Sequence, residues 1–165
     1  MTPDRHETDI AIVGAGIAGI ATAIEALLRG RRVLILDRDV EASLGGLACE
    51  AMGGLWFAGT PLQRRYRIQD SIELGYADWL SFGELGDDDE WPRTWARRYV
   101  ERCVPDVFEW LTGLGVRFMP MPMWVERGLY GRGNSVPRFH VVWGTGRALA
   151  DALIACLKNH PHRDR

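Results

Sequence analysis

Cysteine is scarce and scattered in this chain: Cys49, Cys103 and Cys156 lie far apart and form no CxxC pair. That spacing argues against a zinc site and a disulfide framework. It leaves three separate buried thiols and makes a reducing cytoplasm the expected compartment. Charge of one sign is scarce too. Lys and Arg total 20 against 22 Asp and Glu, a net charge of −2, so no basic face is offered to a nucleic acid. Long apolar runs are missing. The longest, residues 10–24, falls short of the roughly 20 residues a membrane span needs, and Glu25 closes it. It has the character of a signal-peptide core, but Asp4, Glu7 and Asp9 stand where such a peptide carries only basic residues. There is no repeat and no low-complexity tract. The rest is ordinary for a soluble globular protein: 165 residues, 47% apolar and 25% charged, enough for one domain with a real core.

Two short runs, residues 10–13 and 33–36, are continuously apolar, the pattern of strands covered on both faces in a parallel sheet. Between them Ile17, Ile20, Ala21, Ile24, Leu27 and Leu28 recur at helical spacing, and Gly30 suits a C-terminal cap. Strand, helix, strand within about thirty residues is a βαβ unit. Residues 43–60, with glycine pairs at 45–46 and 53–54, read as irregular chain. A helix is expected over 61–82, opening at Pro61, with Ile72, Tyr76, Trp79 and Leu80 on one side. Residues 83–90 form an acidic loop. Pro92 opens another helix, which Pro105 breaks or kinks. Residues 113–146 show few periodic signals, and 147–157 read as a last helix before a frayed end.

The strongest chemical signal is Gly14-Ala15-Gly16-Ile17-Ala18-Gly19, which follows a strand and opens a helix. Asp37 ends the next strand 18 residues after Gly19. A lone GxGxxG is weak; this context makes it a dinucleotide fingerprint. Gly14 permits the tight turn, Gly16 leaves the backbone open to a pyrophosphate, and Gly19 lets the helix pack closely on the strands. The free amides and dipole of the helix start then face the phosphates. Asp37, followed by Arg38, accepts from an adenosine ribose; an unphosphorylated 2′-hydroxyl suits it and a 2′-phosphate would be repelled. A glycine-rich turn without a ligand is the plainer alternative. The fingerprint alone does not choose between NAD and FAD. The pairs Gly45-Gly46 and Gly53-Gly54 offer further close approach to a flat or charged ligand, or are plain turns.

Residues 9–16, Leu36-Asp37, Leu44-Gly45-Gly46-Leu47 and Met52-Gly53-Gly54-Leu55 resemble the FAD-binding segment of the fumarate reductase, succinate dehydrogenase and 3-ketosteroid dehydrogenase superfamily. The nearer likeness is to actinobacterial FAD-binding dehydrogenases related to the ketosteroid enzymes. Gln63-Arg64-Arg65, Gln69-Asp70-Ser71 with Trp79, residues 91–95, and residues 134–140 running into Trp143-Gly144-Thr145-Gly146 support it, so the likeness extends from about residue 8 to 157. Members with covalent flavin carry a histidine at the position of Leu47. The resemblance therefore implies non-covalent FAD, with Gly45, Gly46, Leu47, Ala48 and Gly54 near the ribityl chain and flavin ring. It implies an oxidoreductase in which a base removes a proton next to a carbonyl and flavin N5 takes a hydride from the neighbouring carbon. The substrate class is a small molecule, steroid-like or another enone or ketone.

The expected fold is α/β: a Rossmann-like FAD-binding βαβ unit over about residues 8–40, with additional helices and irregular glycine-rich segments. Family members run to several hundred residues. Residues 1–165 are thus expected to be the N-terminal part of an incomplete FAD-binding domain, with most catalytic residues and a substrate-capping domain elsewhere. The alternatives are a truncated, inactive flavin-binding remnant, or an electron-transfer or interaction module. Tyr130, in a glycine-rich loop, is the one candidate for proton transfer, against a plain loop role. Arg138 and His140 could meet a substrate carbonyl or carboxylate, or simply hold their loop. Most of the seven tryptophans are core or cap residues, some of them lining an apolar cavity. The acidic run 87–90 reads as solvated, and no metal is expected.

Overall fold

The structure is a computed structural model and describes residues 6–124 and 133–164. In chain order its elements are β1 (Ile10–Val13), α1 (Ile17–Leu28), β2 (Val33–Leu36), β3 (Gly54–Trp56), α2 (Pro61–Arg65), α3 (Ile72–Phe82), α4 (Glu90–Arg102), α5 (Glu109–Gly113), β4 (Phe139–Val141) and α6 (Thr145–Lys158). Short 3₁₀ turns occupy Glu41–Ser43 and Gly46–Glu50, and a π-helical segment, Cys103–Phe108, follows α4. The chain divides into two compact units: Met1–Gly53 with Gly144–Arg165, and Gly54–Trp143.

In the first unit β1 and β2 pair in parallel, Ile10 with Val33 through Val13 with Leu36, and α1 packs on both. Its buried stripe is Ile20, Ala23, Ile24, Ala26 and Leu27. The amides of Gly30 and Arg31 close the helix on the carbonyls of Leu27 and Ala26 at 2.9 and 3.0 Å, with Gly30 at φ +72°, a Schellman end of the kind Gly30 announced. Two-sided burial of the strands is not observed. Ile12 is buried while Val13, pointing the other way, is 87% exposed, because α1 covers one face of a two-stranded ribbon. Helix α6 packs against α1 and the Gly46–Glu50 turn.

In the second unit β3 and β4 pair antiparallel, Gly54 opposite Val141 and Trp56 opposite Phe139. Neither strand stood out in the sequence, since both lie in glycine- and proline-rich stretches. The core gathers Phe57, Cys103 and Phe108 with Leu62, Val104 and Phe118 around them; Phe108 and Phe118 stack at 5.1 Å. The single helix expected over 61–82 is two. Helix α2 stops at Arg65, Arg67 takes φ +57°, and Ser71 caps α3 by accepting from the Leu74 amide at 3.1 Å. The buried side of α3 carries Gly75 and Asp78; the cause is a buried ion pair described below. Helix α4 starts two residues before Pro92. At Pro105 the helix widens into the π turn instead of ending, because proline supplies no amide and its ring crowds the carbonyl four residues back.

Candidate cofactor site

The turn from β1 into α1 is built as the fingerprint requires. Gly14 sits at φ +99° and its amide donates to the Leu36 carbonyl at 2.8 Å. A Cβ on Gly19 would collide with the Gly14 carbonyl oxygen, so α1 reaches the turn only because residue 19 is glycine. Gly16 differs. Its φ is −72°, open to any residue, and a Cβ built there meets nothing within 4 Å. Among the described residues no atom crowds a Cβ at position 16; the space in front of it is what a pyrophosphate would fill. The first amides of α1, Ala18 among them, have no acceptor inside the helix.

Asp37 closes the turn from the β2 side. Its carboxylate accepts from the Ala15 amide at 2.5 Å and from the Asp39 amide at 2.9 Å. These two amides hold its pKa below the ordinary aspartate value, against a small opposing effect of burial and with help from the Arg38 charge. Each oxygen keeps a second acceptor direction for a ribose hydroxyl. Ala15, Asp37, Asp39, Glu41, Val33 and Ile35 line part of a cleft of about 680 Å³, within the usual range for small-molecule sites. Gly45 is brought to the same place. Its amide donates to the Ala15 carbonyl at 2.9 Å and it bridges Gly16 in parallel fashion. Gly45 and Gly46 both have positive φ. Leu47 and Ala48 follow on the 3₁₀ turn, with Leu47 83% exposed. The residues present therefore fit an extended dinucleotide.

Gly53 and Gly54 answer to packing. At φ +73°, Gly53 lies against the Thr145–Gly146 backbone, so that a Cβ would approach the Gly146 nitrogen to 2.5 Å. Gly54 belongs to the second unit, where a Cβ would overlap the Phe139 ring. Gly146 is needed as well, since a Cβ there would strike the Ala48 carbonyl. Sequence reasoning quoted Trp143-Gly144-Thr145-Gly146 without giving Gly146 this task. Tyr130 lies outside the described residues.

A second constellation, in the Gly54–Trp143 unit, was only partly foreseen. Arg138 has no exposed surface. It grips Asp70 with two parallel bonds of 2.8 and 2.7 Å, and its other terminal nitrogen donates to Asp78 at 2.5 Å and Asn134 at 2.8 Å. Gln63 donates to Asp70 and to the Pro137 carbonyl. Burial works to raise the Asp78 pKa, but the Ser135 amide, Arg138 and the Ser135 hydroxyl outweigh it and the net shift is downward. His140 faces the Arg138 carbonyl through Nδ1 at 2.7 Å and the Thr60 hydroxyl through Nε2 at 2.8 Å. A carbonyl only accepts, so the proton sits on Nδ1, and burial holds the His140 pKa below its ordinary value. Thr60 and Gln63 also form a capping box at the start of α2, a Thr-x-x-Gln signal readable in the sequence. Arg138 and His140 are thus engaged in holding the 134–140 segment against α2 and α3.

Among the described residues no His, Cys, Asp and Glu cluster is arranged to hold a metal ion, and no helix is long and apolar enough to cross a membrane. The family model described as "FAD binding domain" matches residues 9–164. The chain belongs to that FAD-binding family. FAD is accordingly the cofactor of this chain. Similarity to individual proteins agrees with this. Over 157 residues the chain is 45% identical to a KsdD-like steroid dehydrogenase of Mycobacterium tuberculosis, covering 93% of this chain and 28% of that protein. A 3-ketosteroid-Δ4-(5α)-dehydrogenase from Rhodococcus jostii, solved with 4-androstene-3,17-dione, superposes with a TM-score of 0.70 at 28% identity over 93% of this chain and 36% of that one. An open flavocytochrome c3 fumarate reductase shares the fold, with a TM-score of 0.73 at 24% identity over 93% of this chain and 25% of that one. The FAD-binding chain thus spans less than a third of the length of the steroid dehydrogenase it matches.

Proposed function

We propose that this FAD-binding chain is the N-terminal part of a Rossmann-like flavin domain, holds FAD without a covalent bond, and serves an oxidoreductase acting on a C–C bond next to a carbonyl, with a steroid-like ketone or enone as substrate. The observation that carries the cofactor assignment is Gly16, a glycine that nothing in the protein requires and that opens onto free space. In this reading Gly14, Ala15, Gly16, Ala18 and Gly19 present backbone amides to the pyrophosphate, Asp37 holds the ribose and Arg38 flanks it. Gly45, Gly46, Leu47 and Ala48 run beside the rest of the cofactor, with Gly54 a further candidate. Leu47 has no nucleophilic atom, which is why no covalent link is expected. FAD when bound supplies a hydride acceptor. The chain's own part is to bind and orient it: Asp37, ionised at neutral pH, fixes the turn through the Ala15 amide while accepting from the ribose. The steroid-like substrate rests on the relatives' names. Tyr130 is the candidate acid–base residue. Three free thiols suit a reducing cytoplasm.

The test is direct. Protein purified with FAD should be yellow, and heat or acid should release all of the flavin into the supernatant. A colourless protein that binds NADH tightly, or flavin that stays with the precipitate, would overturn the cofactor reading. Substrate-dependent dye reduction with a 3-ketosteroid, set against fumarate, separates the two substrate classes.

A further inference from the structure

Gly45 stands where no side chain fits. A Cβ placed there would lie 2.7 Å from the Cys49 Sγ, 2.9 Å from the Ala150 Cβ and 3.5 Å from the Ile154 Cδ1. The first neighbour belongs to the 3₁₀ turn that Gly45 opens. The other two belong to α6, where residues four apart share a face. Ala150 has no exposed surface. One turn earlier on α6, Gly146 donates its amide to the Ala51 carbonyl at 2.9 Å and has no room for a Cβ beside the Ala48 carbonyl. Gly45 in turn donates its amide to the Ala15 carbonyl at 2.9 Å. Its place beside the fingerprint turn is thus set by α6 and by this bond. The fingerprint turn itself keeps its shape through bonds that bypass α6, from the Gly14 amide to the Leu36 carbonyl and from the Ala15 amide to the Asp37 carboxylate.

We propose that Ala150 is a positioning residue for the flavin half of the cofactor, acting through Gly45. The inference rests on the reading of Gly45, Gly46, Leu47 and Ala48 as the stretch beside that half. A close-packed contact accommodates added volume by moving its softer side. Helix α6 is the stiffer side, since Gly146 ties it to Ala51 and the helix also packs on α1. A larger side chain at position 150 therefore displaces Gly45, lengthens its bond to Ala15 and shifts the stretch that follows. The ADP half has its own supports in the fingerprint turn and Asp37. Added volume at position 150 is thus felt as a loss of FAD relative to ADP, and not as a loss of nucleotide binding at large.

The experiment is isothermal titration calorimetry of the full chain with FAD and, separately, with ADP. Ala150→Val should raise the dissociation constant for FAD about tenfold or more and that for ADP by less than about threefold. Ala155→Val, at an exposed position of the same helix, carries the same loss of helix propensity and should leave both constants unchanged. Ala150→Gly makes the opposite change, removing the support, and should weaken FAD binding about threefold or more against an Ala155→Gly control. It also stands in where circular dichroism shows that valine prevents folding. An equal loss of FAD and ADP overturns the proposal, because a merely destabilised protein loses both. Unchanged FAD binding in the Ala150 variants, with FAD bound by the unsubstituted chain, overturns it while the flavin reading stands. An unsubstituted chain that binds neither FAD nor ADP overturns the flavin reading and this inference together.

Discussion

Gly16 and Gly54 are both glycines of a recognisable pattern, yet they answer to different neighbours. Gly16 faces open space at an ordinary φ; Gly54 faces the Phe139 ring. Gly16→Val should therefore leave the melting temperature of the FAD-free protein within the scatter of surface substitutions, about 0.5 kcal/mol, while abolishing most flavin retention on gel filtration. A loss of stability instead would mean that protein atoms do need glycine there. Asp37→Ala should weaken FAD binding by about ten- to a hundredfold in fluorescence titration, the range for a lost hydrogen bond to a charged group. At the same scale His140 makes stability depend on pH. Its folded pKa lies below the ordinary 6.5 because burial disfavours the cation. The unfolded chain thus binds more protons below about pH 6.5, and stability present above that pH is lost as pH falls towards the folded value. Asp78, also depressed, adds a second loss as pH falls below the ordinary aspartate value towards its lower folded one. Melting temperature against pH should show both phases, and His140→Asn should remove the first while keeping the second.

Among the elements, β4 and the preceding 134–138 segment depend on one cation. Arg138→Met leaves Asp70 and Asp78 buried without their partner, a change that typically costs about 3–5 kcal/mol, and urea titration should show it. Lysine should rescue poorly, because it lacks the planar fork that serves Asp70 with two bonds. Legibility at this scale divides along the same lines. β1, α1 and β2 were readable to within a residue because local signals agree there: apolar runs, a helical stripe, and Gly30 beyond the end. β3 and β4 were not. Each is three residues long and each draws its register from the other, with Gly54 admitting the Phe139 ring, and such a contact has no local signature. The helix expected over 61–82 missed its break for a related reason. Asp70 and Asp78 are placed by Arg138, some sixty residues away, and a buried charge on the inner face of α3 runs against the apolar pattern from which helices are read.

For the whole molecule, the fingerprint turn was legible in the sequence and the second unit's polar network was not. The fingerprint and Asp37 work through backbone geometry that a few glycines announce. The Thr60, Gln63, Arg138 and His140 cluster is a product of tertiary folding, and only its capping box could have been read ahead. FAD that binds the folded form alone should raise the melting temperature with the logarithm of its concentration, by about 2.7 kcal/mol equivalent at a hundredfold excess over the dissociation constant. Differential scanning fluorimetry with FAD, and with NAD as control, reads this directly; equal shifts by both nucleotides would speak against FAD selectivity.

The first unit is made of two stretches that the ribosome delivers far apart in time. Gly45, which lies beside the fingerprint turn, rests on Ala150 and Ile154 of α6. Between the synthesis of that glycine and of its support comes all of Gly54–Trp143, on the order of ten seconds of translation. The nascent fingerprint therefore emerges early and waits, with its glycine loop unsupported, until α6 clears the exit tunnel. Cofactor capture therefore waits for Gly144–Arg165 to be made, and a nascent chain arrested before residue 144 should hold no flavin even when FAD is abundant.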